Sequence, residues 1–259
     1  MQDRLTDRRV VLTGAGSGIG AGTALRLLAE GAHVLAVDLD ESGLEQTRAA
    51  AEAAGHHQRF SAATADISSE SDVAAVFARA DTVLGGLDAL VNAAGILIPG
   101  HTHEVSLDTW NKVIAVNLTG TFLMCREGIP RLLASEHDGV IVNFSSTSAT
   151  FAHPYMAAYA ASKGAISSMT STIALEYTKQ RLRAVCVCPG GITSKITTES
   201  ITHLPENVDG SLFAKVTSPF GGGSFGEPRD VAGVIAMLLS DDGRFITGTE
   251  IRIDGGAHM

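Results

Sequence analysis

A tyrosine and a lysine one helical turn apart are the side chains best suited to proton chemistry in this sequence. Tyr159 and Lys163 open a helical pattern, and residues at i and i+4 project from one helix face with Cβ atoms roughly 5–6 Å apart. An ammonium about 4 Å from a phenol contributes roughly 4 kcal/mol at an effective dielectric of about 20, enough to lower the phenol pKa from about 10 to about 7. The spacing therefore predicts a tyrosine that acts as an acid or base. An isolated pair of this kind is more often an exposed tyrosine and a solvated lysine.

A glycine-rich turn near the start of the chain could bind a dinucleotide. The residues Thr13-Gly14-Ala15-Gly16-Ser17-Gly18-Ile19-Gly20 follow the first apolar run. Glycines let backbone N–H groups approach a pyrophosphate at the positive end of the next helix, and the last glycine lets that helix pack closely on the strand. Glycine turns can also be plain turns, but a strand before and a helix after favour the dinucleotide. The expected cofactor contacts are Gly14, Ser17, Gly18 and Ile19.

An acidic residue at the end of the second apolar run points to the choice of cofactor. Asp38 follows Gly20 by 18 residues, and its neighbours Leu39, Asp40 and Glu41 bring no positive charge. A carboxylate there can accept hydrogen bonds from the adenosine ribose of NAD and would repel the 2′-phosphate of NADP. The alternative is a solvated acid at a strand end or a helix N-cap. The pattern favours NAD.

Two other strand ends are candidates for the adenosine half of the same crevice. Asp66 and Ile67 could hold the adenine amino group, and the small residues of Asn92-Ala93-Ala94-Gly95 would let adenosine lie against the backbone. Either could simply end a strand. Open parallel sheets bind ligands at the carboxyl ends of their strands, so Asn92, Ala93 and Gly95 are expected contacts.

Alternating strand and helix patterns place these motifs in one fold. The apolar runs are continuous, as expected for strands with helices on both faces. A strand followed by a helix, six times over, predicts an α/β Rossmann fold, a doubly wound parallel sheet of seven strands, in a single domain over residues 1–259. The predicted strands are 10–13, 33–38, 60–66, 88–92, 139–145, 183–188 and 249–253. The predicted helices are 19–30, 41–54, 70–84, 106–135, 155–180 and 229–240.

One long segment has no clear period. Residues 191–227 contain Pro205, Pro219 and three consecutive glycines from Gly221. A weakly patterned segment of this length in a compact domain is usually functional or mobile. We predict that it forms a substrate lid with helical pieces.

Composition excludes several classes of protein. The 259 residues carry 28 acidic and 19 basic side chains, a net charge of −9, which argues against a nucleic-acid partner. Three cysteines give no disulfide framework and suit a reducing compartment. We find no signal-peptide pattern and no apolar run long enough for a membrane span, and therefore expect a cytoplasmic protein.

No metal site is expected. His101 and His103 flank Thr102 and are short of further zinc ligands. Cys186 and Cys188 are placed in the core, on opposite faces of one strand, where they would not share a metal.

The motifs taken together resemble the short-chain dehydrogenase/reductase superfamily. Thr13-Gly14-x-x-x-Gly18-x-Gly20, Asn92-Ala93-Ala94-Gly95, Asn117, Ser146, Tyr159 and Lys163 occur in the family's order, and the likeness continues through Pro189-Gly190 to the last strand. The resemblance implies an NAD-dependent oxidoreductase that transfers a hydride between the cofactor and a secondary alcohol or its ketone. It also permits a homotetramer or homodimer.

The resemblance also implies a role for each matching residue. Tyr159 would be the acid/base, Lys163 would lower its pKa and bind the nicotinamide ribose, Ser146 would orient the carbonyl, and Asn117 would anchor a proton-relay water. The implied contacts at the nicotinamide end are Pro189, Gly190 and Ile192, with Ser194 near the phosphates, although threonine is usual at position 194. The expected substrate contacts are Ser146, Ser148, Phe151 and Tyr159, with Leu97 and Tyr155 nearby.

Two other functions remain open. The competing enzyme is a 3-oxoacyl-thioester (acyl carrier protein) reductase, but such reductases usually prefer NADPH and carry a basic residue in the glycine loop where this chain has Ser17, so this function ranks second. A dinucleotide-sensing protein without turnover would be expected to lack part of the catalytic set, and here each member is present.

Overall fold

A sheet of seven parallel strands lies at the centre of the protein, in the order β3-β2-β1-β4-β5-β6-β7. The computed structural model describes residues 3–215, 217–220 and 222–259. The strands are β1 Arg9–Thr13, β2 His33–Asp38, β3 Phe60–Thr64, β4 Ala89–Asn92, β5 Gly139–Phe144, β6 Leu182–Pro189 and β7 Glu250–Ile253. The predicted doubly wound sheet is confirmed. Because the strand order reverses between β1 and β4, a ligand crevice opens beyond their carboxyl ends.

Helices cover both faces of the sheet, which explains why the strands are apolar throughout. They are α1 Gly18–Ala29, α2 Glu41–Ala53, α3 Glu70–Leu84, α4 Leu107–Ile114, α5 Thr121–Leu133, α6 Ala157–Tyr177, α7 Lys195–Thr202 and α8 Pro228–Leu239. Val10 packs in one buried cluster with Leu27 and Ile235, whereas its neighbour Val11 packs in the other with Phe77 and Met124. Neighbouring strand residues thus fill opposite layers. In the described part of the chain, no helix is both long enough and apolar enough to cross a membrane.

The region predicted as one helix over 106–135 is divided by a wider turn. Between α4 and α5 lies a π-helical segment, Ala115–Gly120. The wider turn brings Gly120 against Ile67, whose Cδ1 would lie 2.8 Å from a Cβ added to the glycine. Such π-helical turns are rare and occur often at functional sites. The hydrophobic period alone does not distinguish them from an α-helix.

The arrangement expected for the two thiols of β6 was wrong. Residues two apart in a strand share a face, and the Cys186 and Cys188 side chains interact with each other directly. All three cysteines are free and buried. Among the described residues, His, Cys, Asp and Glu side chains form no group of three that could hold a metal ion.

The 191–227 segment contains α7, a 3₁₀ turn over Gly210–Lys215 and a parallel bridge between Ile192 and Gly226. The bridge holds the two ends of the segment side by side, so that the residues between them form one long loop. Positions 216 and 221 of this predicted lid lie outside the described residues.

The turn between β1 and α1 depends on a glycine that approaches backbone. A Cβ added to Gly20 would lie 1.9 Å from the carbonyl oxygen of Gly14. The Gly14 residue itself has a φ of +73°, a conformation that side chains disfavour. Gly20 therefore lets the first turn of α1 pack directly beneath the glycine loop.

We expect Gly20→Ala to lower the free energy of unfolding by about 3 kcal/mol, because the loop or the helix must move to admit one methyl group. Gly233→Ala is the matched control, since its added Cβ meets only the end of Arg26, at 3.5 Å. That substitution should raise stability by up to about 1 kcal/mol through helix propensity. Urea unfolding of both variants measures the difference, and equal stabilities would contradict the close approach.

Candidate active site

A serine after β5 and a tyrosine in the first turn of α6 meet in the wall of one cavity. Ser146 and Tyr159 both line this space of about 310 Å³, and the Ser146 hydroxyl lies near enough to the phenol to lower its pKa. The backbone N–H of Ser148 donates to Ser146 Oγ at 3.2 Å. A lone pair of that oxygen is therefore occupied, and the hydroxyl proton remains available for donation.

The lysine lies behind the tyrosine, in the protein interior. Lys163 is 4% exposed, and its Nζ donates to the carbonyl oxygen of Phe144 at 2.8 Å. Its Nζ lies 5.5 Å from the centre of the Tyr159 ring. Burial lowers the pKa of Lys163 to about 8. Lys163 therefore loses part of its positive charge as the pH rises above neutrality.

The expectation that this lysine lowers the tyrosine pKa to about 7 was wrong for the protein alone. Burial raises the pKa of Tyr159 to about 12, and the neighbouring Ser146 hydroxyl offsets only part of that effect. The sequence argument omitted the loss of hydration, which is the larger effect for a buried phenol.

Asn117, in the π-helical turn, holds a loop with its side-chain amide. Its Oδ1 accepts from the Ile96 N–H at 2.8 Å, and its Nδ2 donates to the Ile96 carbonyl at 2.9 Å. The same Nδ2 donates to Ser162 Oγ at 3.1 Å, and Ser162 Oγ donates to the Tyr159 carbonyl at 2.7 Å. The amide thus connects the loop after β4 with the first turn of α6.

The predicted phosphate end of the crevice is assembled from three loops. A Cβ added to Gly14 would lie 2.8 Å from the Ala94 nitrogen, and one added to Gly18 would lie 2.9 Å from Ser194 Cβ. Ser17 stands at the N-cap of α1, with Ile19 in the first turn behind it. The structure therefore brings Gly14, Ser17, Gly18, Ile19 and Ser194 together at the positive end of a helix.

Asp38 stands beside this turn. Its Oδ2 accepts from the Gly16 N–H at 2.8 Å, and its Oδ1 accepts from the Asp40 N–H at 2.9 Å. Sequence neighbours offer no positive charge here, but Lys195 of α7 reaches Asp40 Oδ2 at 3.5 Å. This cation was missed because it is 155 residues further along the chain.

The other predicted cofactor contacts differ in how they face the crevice. The Asn92 amide is turned into the core, where its Nδ2 donates to Asn143 Oδ1 at 2.8 Å, so it has only backbone to offer. Ile67 and Ile192 are buried, and Asp66 Oδ1 accepts from the Ser68 N–H at 2.9 Å. Gly95 stands beside the catalytic candidates, and its added Cβ would lie 3.4 Å from Lys163 Nζ. The remaining contacts, Ala93, Pro189 and Gly190, directly follow or end β4 and β6.

These residues fit a nicotinamide dinucleotide. A side chain at position 14 would collide with the Ala93–Ala94 backbone, one at position 16 would approach Asp38, and one at position 18 would collide with Ser194. A carboxylate stands at the end of β2, and the catalytic candidates stand beyond β5. This is the order that a dinucleotide laid across the switch point of a doubly wound sheet requires.

The cavity around Ser146 and Tyr159 is mainly apolar. Its other polar lining residues are Thr147, His153, Thr197 and Thr217. Its apolar side chains are Leu97, Met156, Ile196, Leu204, Phe213 and Phe225. None of the described lining residues is Asp, Glu, Lys or Arg. The cavity is therefore suited to an uncharged substrate.

Two of the predicted substrate contacts are not in this lining. The Ser148 hydroxyl is buried, with no hydrogen-bond partner among the described residues, and the Phe151 ring stacks on His258 at 4.4 Å between ring centres. Tyr155 lies outside the lining too, next to His101 and Phe213. Tyr155 has a left-handed φ of 63°. The chain here is neither helix nor strand, so no hydrophobic period indicates which of its residues face the cavity.

Sequence reasoning missed His153 and Met156; it predicted the 191–227 segment as a lid over the substrate but did not single out the lid residues that complete the cavity. The available signal was the apolar character of Leu204, Phe213 and Phe225 within a polar, glycine-rich segment. Exposed loops seldom contain such residues without a partner to cover.

Comparison with known proteins agrees with this geometry. A family profile described as "Enoyl-(Acyl carrier protein) reductase" matches residues 14–258. The 3beta-hydroxysteroid dehydrogenase 1 of Eggerthella lenta is 38% identical over 257 residues, which cover 99% of this chain and 95% of that protein.

Two solved structures share the fold over nearly their whole length. A short chain dehydrogenase from Mycobacterium paratuberculosis bound to NAD has a TM-score of 0.90 and 28% identity, covering 98% of both chains. The 3-ketoacyl-(acyl-carrier-protein) reductase from Brucella melitensis complexed with NADH has a TM-score of 0.86 and 32% identity, covering 98% of this chain and 100% of the other. On this likeness of sequence, fold and site, the chain belongs to the short-chain dehydrogenase/reductase superfamily and is an oxidoreductase that acts on CH–OH groups or the corresponding carbonyls.

Proposed function

We propose that the protein is an NAD-dependent dehydrogenase of uncharged, largely apolar secondary alcohols, and a reductase of the corresponding ketones. The observation that carries this proposal is the pairing of the Ser146 and Tyr159 hydroxyls in the wall of an otherwise apolar cavity. A hydroxyl or carbonyl placed between them would meet two hydrogen-bonding groups, while the rest of the molecule would contact apolar side chains.

Tyr159 and Ser146 would divide the work on the substrate oxygen. The dinucleotide, when bound, supplies the hydride acceptor or donor. In ketone reduction, the neutral phenol of Tyr159 donates its proton to the oxygen, and in alcohol oxidation the phenolate removes it. Ser146, whose oxygen already accepts from the Ser148 N–H, donates to the substrate oxygen and stabilises the charge that develops there.

Lys163 and Asn117 would act from behind this pair. An ammonium has three N–H donors, of which one is used on the Phe144 carbonyl. The others could serve the nicotinamide ribose and the tyrosine. Asn117 fixes the loop after β4 through Ile96, and from that position it would anchor a proton-relay water.

NAD, rather than NADP, is the cofactor that the crevice favours. Asp38 would face the adenosine ribose, where its carboxylate would accept hydrogen bonds from two hydroxyls and repel a phosphate. Lys195 is paired with Asp40 and so leaves the Asp38 charge uncompensated. The proposed contacts are Gly14, Ser17, Gly18, Ile19, Asp38, Asp66, Ile67, Asn92, Ala93, Gly95, Tyr159, Lys163, Pro189, Gly190, Ile192 and Ser194.

A cyclic alcohol suits the cavity best as a substrate. The similar protein from Eggerthella lenta is named as a hydroxysteroid dehydrogenase, and steroids are neutral, apolar ring systems. Reduction of a 3-oxoacyl thioester is the second candidate, because a relative of known structure is named as a 3-ketoacyl-(acyl-carrier-protein) reductase; NADPH is the cofactor expected from the sequence for that reaction. Asp38 argues against NADPH, and the complete catalytic set argues against a sensor without turnover.

We also propose the larger arrangement of the enzyme. Residues 1–259 would form one catalytic domain, with the 191–227 segment as the lid that supplies Ile196, Leu204 and Phe213 to the cavity. Exposed apolar side chains on α5 and α6, Phe122 and Leu175, support association into a homotetramer or homodimer. Free, buried thiols are compatible with a reducing compartment such as the cytoplasm.

Tyr159→Phe should lower kcat for alcohol oxidation by about 10²- to 10⁴-fold, the range for loss of a general acid/base. The measurement is NADH absorbance during turnover of a panel of secondary alcohols. Tyr177→Phe, at the far end of the same helix, is the matched control and should keep full activity. NADH binding, followed by fluorescence, should survive in both. Full turnover by Tyr159→Phe would refute the assignment.

The pH profile tests the same residue in another way. Because the pKa of Tyr159 lies well above neutrality, the phenolate fraction rises about tenfold per pH unit below that pKa. We expect kcat/KM for alcohol oxidation to rise steeply between about pH 6 and pH 8, then less steeply as Lys163 loses its proton near its pKa of about 8. Ketone reduction, which uses the neutral phenol, should vary little over this interval. The reverse pattern would count against Tyr159 as the proton carrier.

The choice of cofactor rests on Asp38. We expect kcat/KM to be about a hundredfold higher with NAD than with NADP, equivalent to about 3 kcal/mol of like-charge repulsion. Asp38→Ala should reduce that ratio below about tenfold by the same argument. Glu41→Gln, which removes a nearby exposed carboxylate, is the control and should leave the ratio unchanged. A wild-type protein that prefers NADPH and reduces acetoacetyl thioesters would support the rival reductase.

A further inference from the structure

A histidine in the cavity wall is linked to the segment that follows β7. His153 lines the cavity, and its Nε2 lies 3.3 Å from Nε2 of His258. Nδ1 of His258 lies 3.1 Å from Asp254 Oδ2. A carboxylate and two imidazoles therefore form a chain that ends beside Ser146 and Tyr159.

His258 is held firmly in this chain. Its side chain is 6% exposed, and its ring contacts two others, with ring centres 4.4 Å from Phe151 and 5.3 Å from His153. Its backbone N–H donates to Asp254 Oδ2, and its carbonyl accepts from Arg252 Nη1 at 3.0 Å. The position of the second ring is fixed by packing and by the backbone.

The direction of the hydrogen bonds follows from the carboxylate. Burial alone would raise the pKa of Asp254, but the hydrogen bonds from His258 and from the Gly256 N–H outweigh it. The net pKa is lowered, so the carboxyl group is ionised. An ionised carboxylate only accepts, so Nδ1 of His258 carries a proton, and in the neutral tautomer with that proton Nε2 accepts. Nε2 of His153 must then be the donor, shared between His258 and Thr147 Oγ1 at 3.4 Å.

The remaining ring nitrogen of His153 is left to accept. Burial, followed by the facing His258 ring, lowers the pKa of His153, so the imidazole is neutral at pH 7. With the proton on Nε2, Nδ1 has a free lone pair. Among the described residues it has no protein partner. Of the three other polar lining residues, Thr147 bonds to His153, Thr197 Oγ1 donates to the Ile192 carbonyl at 2.9 Å, and Thr217 is the third.

We propose that His153 is a specificity-determining residue that accepts a hydrogen bond from a second hydroxyl of the substrate, and that Asp254 and His258 position it for this task. The preferred substrate class is then a diol, with one hydroxyl oxidised between Ser146 and Tyr159 and the other bound to His153, on an apolar frame. This inference rests on the proposed function, because it concerns the same cavity. Few, well-placed polar groups in an apolar pocket set the orientation of a ligand.

The test compares cyclohexanol with 1,2-, 1,3- and 1,4-cyclohexanediol, with NAD as cofactor. We expect the wild-type kcat/KM for at least one diol to exceed that for cyclohexanol by about tenfold, the effect of one additional hydrogen bond. His153→Leu should bring this ratio close to one, mainly through a higher KM for the diol. His153→Asn, which keeps an acceptor near Nδ1, should restore part of the preference.

A second variant tests the positioning role. His258→Phe keeps a stacked ring but removes the acceptor for His153, and should lower the diol preference without the full loss seen in His153→Leu. His137→Leu, an exposed histidine far from the cavity, is the matched control and should leave the ratio unchanged. Thermal unfolding of each variant checks that the fold is kept.

Three outcomes would overturn the proposal. These are a wild-type enzyme without preference for any of the diols, a preference that survives in His153→Leu, and a loss in that variant that is equal for diol and cyclohexanol. Normal turnover of cyclohexanol in any of these cases leaves the proposed function standing. A wild-type protein that oxidises no secondary alcohol would reject both.

Discussion

The parallel register of the central strands is the constraint on which the rest of the structure depends. Thr13 of β1 pairs with Asn92 of β4, and Asn92 pairs with Asn143 of β5. These strands therefore end level with one another, and the loops that follow them meet at one edge of the sheet. Beneath that edge, Asn143 Nδ2 donates to Thr170 Oγ1 at 2.9 Å, which links β5 to α6. Ser146 lies just after the end of β5 and Tyr159 lies in α6, so the link between β5 and α6 helps to hold the two side chains in place.

Burial, more than any single charge, sets the chemical character of the site. Loss of hydration moves the pKa of Tyr159 up and that of Lys163 down, so both groups shift towards their neutral forms. A protein arranged in this way holds a proton ready to give before any ligand arrives. Lys163 therefore contributes a fixed amine that can donate several hydrogen bonds, in addition to its positive charge.

Much of the fold and the chemical core of the site could be predicted from the sequence, because both depend on local spacing. The strand and helix alternation, the glycine turn and the Tyr159–Lys163 pair each follow from neighbours along the chain. What could not be predicted depends on distant contacts. The Asn92 side chain faces inward because Asn143 lies opposite it on the next strand. Lys195 and His258 reach the crevice and the cavity wall from remote segments. The Tyr159 pKa needed a measure of burial, which no spacing contains.

The amide of Asn117 has a consequence for how such an enzyme can change. Its side chain pairs with both the N–H and the carbonyl of Ile96, as a neighbouring strand would. Through Ser162, it also links the loop after β4 to α6, the helix that carries Tyr159. The 191–227 segment above the pocket is held by separate contacts: besides the Ile192–Gly226 bridge, the Asp209 N–H donates to the Tyr155 hydroxyl at 2.8 Å, and Ser218 Oγ donates to the Gly255 carbonyl at 2.8 Å. Mutations in the 191–227 segment can therefore change which substrates fit the pocket without moving Ser146 and Tyr159. The reaction and the choice of substrate can then evolve separately.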